Sequence, residues 1–244
     1  MQAGQRDANM CQETDFGSIR DSMLKEMAET TRKIPAHEIV YRQIREMILF
    51  GDLAPAQPVT IQGLAEALSA GMTPIREALR RLTAEGALLP LGNRRISVPE
   101  LTLEDLEQLA FLRLHVEPEL ARQAATNIDA EGVSALRAID DRLNDAIDAG
   151  DVGGHLRHNH AFHMHLYGFA QAPILLSAAE ALWLRAGPSL RVVCGRHGTA
   201  NLPDKHDEAL LALAEGDPAT VCAAIRQDIR QGLEQIRQTL SAEI

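Results

Sequence analysis

The chain has 244 residues, of which 45% are hydrophobic and 24% charged, so it is long enough for one large or two small folded domains. Aromatic residues make up only 3%, which argues against RNA or single-stranded DNA bound by base stacking, and no run of about 18 apolar residues could cross a membrane. The net charge of −10 argues, taken over the whole chain, against any nucleic-acid partner.

Residues 1–32 have no sustained apolar periodicity and are rich in Gln, Asp, Glu, Thr and Met, which predicts a flexible N-terminal extension. This segment lacks the basic region followed by an apolar one that marks a secretory signal. The three cysteines of the chain form no CxxC pair, as is typical of proteins of the reducing cytoplasm. We therefore expect a cytoplasmic protein without disulfides.

Residues 33–100 begin with the pattern of a helix-turn-helix unit. A first helix ends at Gly51, Thr60 can cap a second short helix, and Thr73 followed by Pro74 predicts the cap and first turn of a third. The tight turn between the second and third helices is the diagnostic part of such a unit.

Two short β-like stretches, 87–91 and 95–98, follow the third helix, and the Gly-Asn-Arg sequence at 92–94 between them predicts a hairpin. Three helices and a hairpin in this order are the layout of a winged helix-turn-helix. Residues 31–100 carry nine Lys/Arg and seven Asp/Glu, whereas residues 101–244 carry 12 and 21. The acidity of the chain therefore lies outside this domain, and DNA is not excluded as a partner.

The third helix is amphipathic when its residues are placed about 100° apart. One side carries the apolar residues Ile75, Ala78, Leu79 and Leu82. The other side carries Thr73, Arg76, Arg80 and Thr83. Such a helix can enter the major groove of double-stranded DNA, where Arg binds guanine through two hydrogen bonds and Thr or Arg holds phosphate.

Two further arginines, Arg94 and Arg95, lie at the tip of the predicted hairpin, where they suit contacts with the DNA backbone or minor groove. The alternative is that the polar residues of the helix and the hairpin form an ordinary solvated surface.

After Leu101 the periodicity is helical throughout, so the whole chain is predicted to be mainly α. The predicted helices span 102–126, 131–149, 152–170, 172–193, 204–215 and 217–241. Their short connections imply antiparallel neighbours in a bundle, which we assign to residues 101–244.

Four polar residues of the bundle lie on helix faces that are otherwise apolar: Asn159, His163, His206 and Asp228. A buried imidazole or carboxylate is costly unless it is hydrogen-bonded, paired or bound to a cation. The four groups therefore form a candidate site for a divalent metal, with Zn, Ni and Mn the ions that such N and O ligands favour. A buried hydrogen-bonded network without metal is the alternative.

Arg113 lies on the apolar face of the first bundle helix, and Glu117 follows one turn later. An inward-facing arginine is rare unless it is paired. It could form a structural pair with Glu117, or its guanidinium could bind the carboxylate of a small effector through two hydrogen bonds.

The stretch from Val40 to Val98, and within it "TPIREALRRLTAEG", resembles the DNA-binding domain of GntR-family bacterial transcription regulators. The later sequences "AFHMHLY" and "KHDEALLALAEGD" resemble the FCD effector-binding domain of the fatty-acid-regulator branch of that family. Together the resemblances cover about 36–240. One departure is the Gly71-Met72 pair, which stands where the family usually has Ser-Arg, so an arginine that commonly contacts the operator is missing.

The resemblance also implies a metal site in the FCD domain, held by an Asp-x3-His pair on one helix and by single histidines on two later ones. The matching positions here are Asn159, His163, His206 and Asp228, so the carboxylate stands on the last helix instead of the first. The resemblance places Arg113 beside the effector cavity.

These observations predict a homodimeric transcription regulator that binds a double-stranded DNA operator and responds to a small carboxylate effector. The resemblance implies that it is a repressor released by its effector. It is not expected to be an enzyme. The alternative is a metal-dependent hydrolase that uses the His/Asp set, although no HExxH, GxSxG or Walker motif is present. A helical adaptor with a vestigial winged domain is the third possibility.

Overall fold

The computed structural model describes residues 34–91, 95–197 and 205–242. Helices predominate, which confirms the mainly α fold class, and the elements lie in the compact unit formed by residues 36–244. In chain order they are α1 (Ala36–Leu49), β1 (Pro58–Val59), α2 (Ile61–Ala67), α3 (Met72–Ala84), β2 (Leu89–Leu91), β3 (Arg95–Ser97), α4 (Leu103–Asn127), α5 (Ala130–Asp148), α6 (Val152–Gly168), α7 (Pro173–His197), α8 (Lys205–Glu215) and α9 (Pro218–Ser241). The extension predicted at 1–32 lies outside the described residues.

The first three helices pack around a core of fully buried aliphatic side chains that includes Ile44, Ile75 and Leu82. Burying each such side chain contributes roughly 1.5–3 kcal/mol to the free energy of folding. α2 begins where the sequence predicts, because the Thr60 hydroxyl accepts a hydrogen bond from the Gly63 amide at 3.1 Å.

The start of α3 differs from the prediction that Thr73 is its cap. The helix begins at Met72, and its cap is Gly71, an extended residue (φ −68°, ψ 154°) without a side-chain hydrogen bond. Thr73 and Pro74 are therefore the second and third helical residues. The amides of a first helical turn have no partner within the helix, so proline is tolerated at any of these positions and does not fix the first residue.

The β-strands form a small antiparallel sheet in the order β1-β3-β2. The predicted hairpin is present, with Leu89 opposite Ser97 and Leu91 opposite Arg95. Its turn at 92–94 lies outside the described residues. β1 adds a further strand that the sequence does not predict, because two residues beginning with a proline carry no strand pattern of their own.

The bundle helices each lie within four residues of their predicted bounds. Their starts are set by capping side chains: α4 has a capping box formed by Thr102 and Asp105, and α6 and α9 follow the caps Asp151 and Asp217. The core between them contains Leu106, Leu120, Leu136, Phe162, Leu166 and Leu210, all fully buried. In the described part of the chain, no helix is long and apolar enough to cross a membrane.

α7 connects the bundle to the part formed by α1–α3 and the sheet, which we call the winged part. Its residues Trp183 and Leu184 belong to the same apolar cluster as the core of α1–α3. The helices α1 and α7 also approach closely at Gly187. A Cβ atom built at this position would clash with the carbonyl of Leu49. The two parts are thus packed directly against each other.

Candidate DNA-binding surface and metal centre

α3 presents a polar face to solvent. Thr73, Arg76 and Arg80 are exposed, and Thr83 is half-buried. The apolar residues predicted for the opposite side are all buried, namely Ile75, Ala78, Leu79 and Leu82. The structure therefore brings the four predicted DNA-contacting residues of α3 to the side of the helix away from the core.

The arginines of α3 differ in how they are held. Arg80 forms an exposed ion pair with Glu77, with 2.7 Å between Nη2 and Oε1, and Arg76 forms no ion pair within the described residues. Arg81, by contrast, stacks its guanidinium 3.6 Å from the centre of the Tyr41 ring. Because exposed ion pairs contribute little free energy, Arg76 and Arg80 are available to a ligand, whereas Arg81 is part of the fold.

The hairpin and the start of α3 complete this surface. Arg95 is exposed at the beginning of β3, and Arg94 lies outside the described residues. Met72 is 49% exposed at the first position of α3, but its thioether cannot donate a hydrogen bond to DNA.

The bundle interior brings together His163, His206 and Asp228, which we call the His-His-Asp cluster. One potential ligand atom from each lies within 4.8 Å of the others. His163 Nε2 is 3.1 Å from Asp228 Oδ2, His206 Nε2 is 3.4 Å from His163 Nε2, and His206 Nε2 is 3.9 Å from Asp228 Oδ1. Tetrahedral ligands at about 2.0–2.2 Å from an ion would stand roughly 3.3–3.6 Å apart, so the spacing fits a metal.

The outer nitrogens of both imidazoles are hydrogen-bonded. His206 Nδ1 lies 2.8 Å from the buried carboxylate of Asp140, which can only accept, so this nitrogen carries the proton. His163 Nδ1 lies 3.1 Å from the Tyr167 hydroxyl, whose own proton goes to Glu117 Oε2 at 2.9 Å. Both Nε2 atoms therefore direct lone pairs into the cluster when the rings are neutral.

The charge of Asp228 completes this arrangement. Burial opposes its ionised form, but the hydrogen bond from His163 and the positive charges of His163, His206 and Arg113 outweigh it and lower its pKa to about 2. This lowering applies when His163 carries a proton on Nε2 and donates it to Asp228, which is the metal-free alternative. With both rings neutral, two imidazole lone pairs and a carboxylate would instead meet at close range and repel one another unless a metal ion lay between them.

The fourth predicted ligand, Asn159, is half-buried one turn before His163 on α6. It forms no hydrogen bond with the other three residues in the described structure. The structure therefore brings together three of the four residues that the sequence predicts as metal ligands.

Arg113 is buried beside the cluster and forms the pair with Glu117 that the sequence left open. Its Nε donates to Glu117 Oε1 at 2.5 Å and its Nη2 to Oε2 at 3.3 Å, while Trp183 Nε1 donates to the same Oε2 at 2.8 Å. Burial opposes the charge of Arg113, but Glu117 outweighs it and raises the pKa of the guanidinium. Arg113 is thus held in place, and an effector could reach only the donors that Glu117 leaves unused.

Three residues of this network are not singled out by the sequence: Asp140, Tyr167 and Trp183. Asp140 has the same signature as Asp228, an acid between apolar residues at helical spacing. Tyr167 and Trp183 look like core aromatics in the sequence, and only the packing of α4, α6 and α7 shows that their polar atoms meet Glu117.

Two family models match this architecture. The model described as "Bacterial regulatory proteins, gntR family" matches residues 36–98, and the model of the FCD domain matches residues 108–231. The chain is a GntR-family transcription regulator with an FCD domain. The DNA-binding region of this GntR-family regulator thus corresponds to α1–α3 with the sheet, and its effector-binding FCD domain to the bundle that holds the His-His-Asp cluster.

Known relatives of this GntR-family regulator agree with the assignment. It is 28% identical to the HTH-type transcriptional regulator McbR of Escherichia coli (strain K12), over 72% of this chain and 79% of McbR. It is 29% identical to the Nta operon transcriptional regulator of Aminobacter aminovorans, over 75% of this chain and 88% of that one. The solved structure of E. coli McbR/YncC superposes with a TM-score of 0.80 at 25% identity, covering 84% of this chain and 99% of that chain.

The family and these relatives are transcription regulators, which confirms the prediction that this GntR-family protein is not an enzyme. The hydrolase alternative therefore has no support. The individual residues predicted to contact DNA, metal and effector remain predictions.

Proposed function

We propose that this GntR-family regulator is a cytoplasmic, homodimeric repressor that leaves its operator when a small carboxylate effector binds the FCD domain. The DNA-binding domain would span residues 33–100, and residues 101–244 would sense the effector and dimerise. The observation that carries the proposal is the exposed polar face of α3, built on a domain that shares its apolar core with α7 of the bundle.

In this proposal α3 is the recognition helix. Arg76 and Arg80 would bind guanine edges in the major groove, because their guanidinium groups are exposed and only weakly held. Thr73 and Thr83 would hold phosphates beside them, and the hairpin arginines Arg94 and Arg95 would contact the backbone or the minor groove.

The His-His-Asp cluster would hold a divalent ion (Zn, Ni or Mn), with Asn159 as an additional neutral ligand. The geometry supports this, because one ligand atom each from His163, His206 and Asp228 lies within 4.8 Å of the others, and imidazole with carboxylate is a ligand set that such ions take. The ion would supply a Lewis-acidic anchor for an effector carboxylate. Arg113, with donors beyond those that Glu117 accepts, would bind the same effector from the opposite side.

The response to the effector would pass along α7. Trp183 donates to Glu117 beside the cluster, and two residues later Arg185 Nη1 donates to the carbonyl of Gly86, just after α3, at 2.6 Å. A ligand that shifts Trp183 would therefore shift a contact with the end of the recognition helix. Release of DNA requires that the effector bind the two arrangements of these contacts with different affinity.

The test is a gel-shift titration with a cognate duplex obtained by selecting bound sequences from random DNA. Replacing Arg80 by Ala should weaken binding by about 1–3 kcal/mol and relax the preference for one base, and Arg76→Ala should act at a neighbouring base.

Arg122→Ala is the matched control, since Arg122 forms with Glu119 an exposed i,i+3 pair of the same 2.7 Å length on the bundle. It should leave DNA affinity unchanged. Equal binding by the wild type, Arg76→Ala and Arg80→Ala would refute α3 as the recognition helix.

A further inference from the structure

A cleft separate from the His-His-Asp cluster lies where the winged part meets the bundle. Its volume of about 730 Å³ is within the roughly 300–1,000 Å³ typical of small-molecule sites. Three parts of the chain line it: the turn at Ala54 and Pro55, the connection at 100–104, and facing residues of α7 and α9. The descriptions of the two matched families assign no ligand to this cleft, and the effector site proposed above lies elsewhere in the bundle.

The floor of the cleft is apolar. Val192 on α7 and Leu240 on α9 are half-buried and give the floor its accessible apolar surface, whereas Val193 and Ile236 are each 1% exposed. Water over such a floor has few hydrogen-bonding partners, so an apolar group that displaces it binds favourably.

The rim of the cleft is acidic. Glu100 and Glu104 are exposed, and neither forms an ion pair in the described structure. Among the described residues that line the cleft, none is basic. The helix end between them does not attract an anion, because the capping box of Thr102 and Asp105 already places a carboxylate at the start of α4. The charge of the rim therefore selects a cation.

The walls of the cleft are held by hydrogen bonds before any ligand arrives. The Ala54 amide donates to Gln57 Oε1 at 3.0 Å, and the amide of Ala56, a residue with φ of 58°, donates to the Val98 carbonyl at 3.0 Å. Because the wall is already ordered, binding a ligand costs less conformational entropy.

We propose that this cleft binds an amphipathic small molecule with an apolar body and a cationic amine head. The body would cover Val192 and Leu240, and the ammonium group would lie between Glu100 and Glu104. Because the winged part and the bundle both line the cleft, the occupant would stabilise their observed packing. A ligand of this charge is distinct from the carboxylate effector proposed for the FCD domain.

The test uses three probes that share a nine-carbon alkyl tail, namely nonylammonium, nonanol and decanoate, in calorimetric titrations of the full-length protein without DNA. Nonylammonium should bind roughly fivefold more tightly than decanoate, and the difference should shrink as salt is added. The double variant Glu100→Gln/Glu104→Gln should remove this preference while leaving the affinity for nonanol unchanged. Glu131→Gln, an exposed glutamate on α5, is the control and should preserve the preference.

A second variant, Ala54→Trp, places a large ring in the cleft from an exposed position. It should weaken nonylammonium binding at least about tenfold with an unchanged melting temperature. The proposal is overturned if nonylammonium does not bind, if decanoate binds as tightly, or if Ala54→Trp leaves the amine affinity unchanged. An effect of Ala54→Trp on self-association alone, measured by sedimentation, would identify the cleft as a contact between copies and also overturn it.

Discussion

His206 is oriented by a carboxylate that comes from a different helix. Asp140 on α5 is 5% exposed, and it holds the proton of His206 Nδ1, so that Nε2 of the same ring faces His163 and Asp228. A carboxylate that accepts a hydrogen bond from the outer nitrogen of a metal-binding imidazole fixes the tautomer of the ring and raises its basicity. In the proposed metal site, Asp140 would therefore orient His206 without being a ligand itself.

Replacing Asp140 by Asn should lower the affinity for a divalent ion by about 10–100-fold, because the amide keeps the size of the side chain but loses its charge. The measurement is a competition with a coloured chelator on protein freed of metal. Asp141→Asn, at an exposed neighbour, should have no effect, and His163→Ala should abolish binding. If the metal-free wild type takes up no ion, the cluster is the hydrogen-bonded network with a protonated imidazole.

The sequence predicts part of this site, and the reason is physical. His163, His206 and Asp228 stand on apolar helix faces, so each must point inward with its polar group in need of a partner. The partners themselves depend on how helices pack. His206 and Asp140 are 66 residues apart, and no local pattern shows that they meet.

At the scale of elements, α7 is the helix on which the two parts of the protein depend. Its Trp183 contacts the Glu117 network, while Arg185 and Gly187 contact the winged part. The close approach of α1 and α7 needs a residue without a side chain, which explains a glycine in the middle of a long helix despite its poor helix propensity.

Gly187→Ala should therefore lower the free energy of unfolding by about 1–3 kcal/mol, because the added methyl group overpacks α7 against the backbone of Leu49. Chemical denaturation with matched slopes would measure it. Gly195→Ala on the same helix is the control. A Cβ there meets nothing within 4 Å, so the change should be neutral or raise stability by up to about 1 kcal/mol. Equal stabilities for the two variants would contradict the close packing of α1 and α7.

The helices are predictable because periodicity and capping residues lie within each segment, as Thr60 and Asp217 show. Two details of the fold, β1 and the first residue of α3, are not predicted because they do not follow from the residue pattern of their own segments. β1 exists only through its pairing with β3, and the start of α3 at Met72 depends on the extended backbone of Gly71. Sequence pattern alone could assign Thr73 to either side of that boundary.

At the scale of the molecule, the charge is divided between two parts with different partners. Residues 31–100 carry nine basic and seven acidic side chains, and residues 101–244 carry 12 and 21. A weakly basic DNA-binding domain joined to an acidic bundle gains little from non-specific attraction to phosphate. In the proposed dimer, affinity for an operator would come from specific contacts made by two α3 helices at once.

The spacing of the two half-sites should accordingly control binding. Duplexes selected from random DNA should contain an inverted repeat, and inserting about five base pairs between its halves should reduce affinity to that of a single half-site, because the second groove turns away. Inserting about ten should restore part of the affinity, since a full helical turn returns both grooves to one face. Gel shifts would measure both, with spacer substitutions of unchanged length as the control. Affinity that is indifferent to the five-pair insertion would mean that the subunits bind independently, and would contradict a rigid dimer.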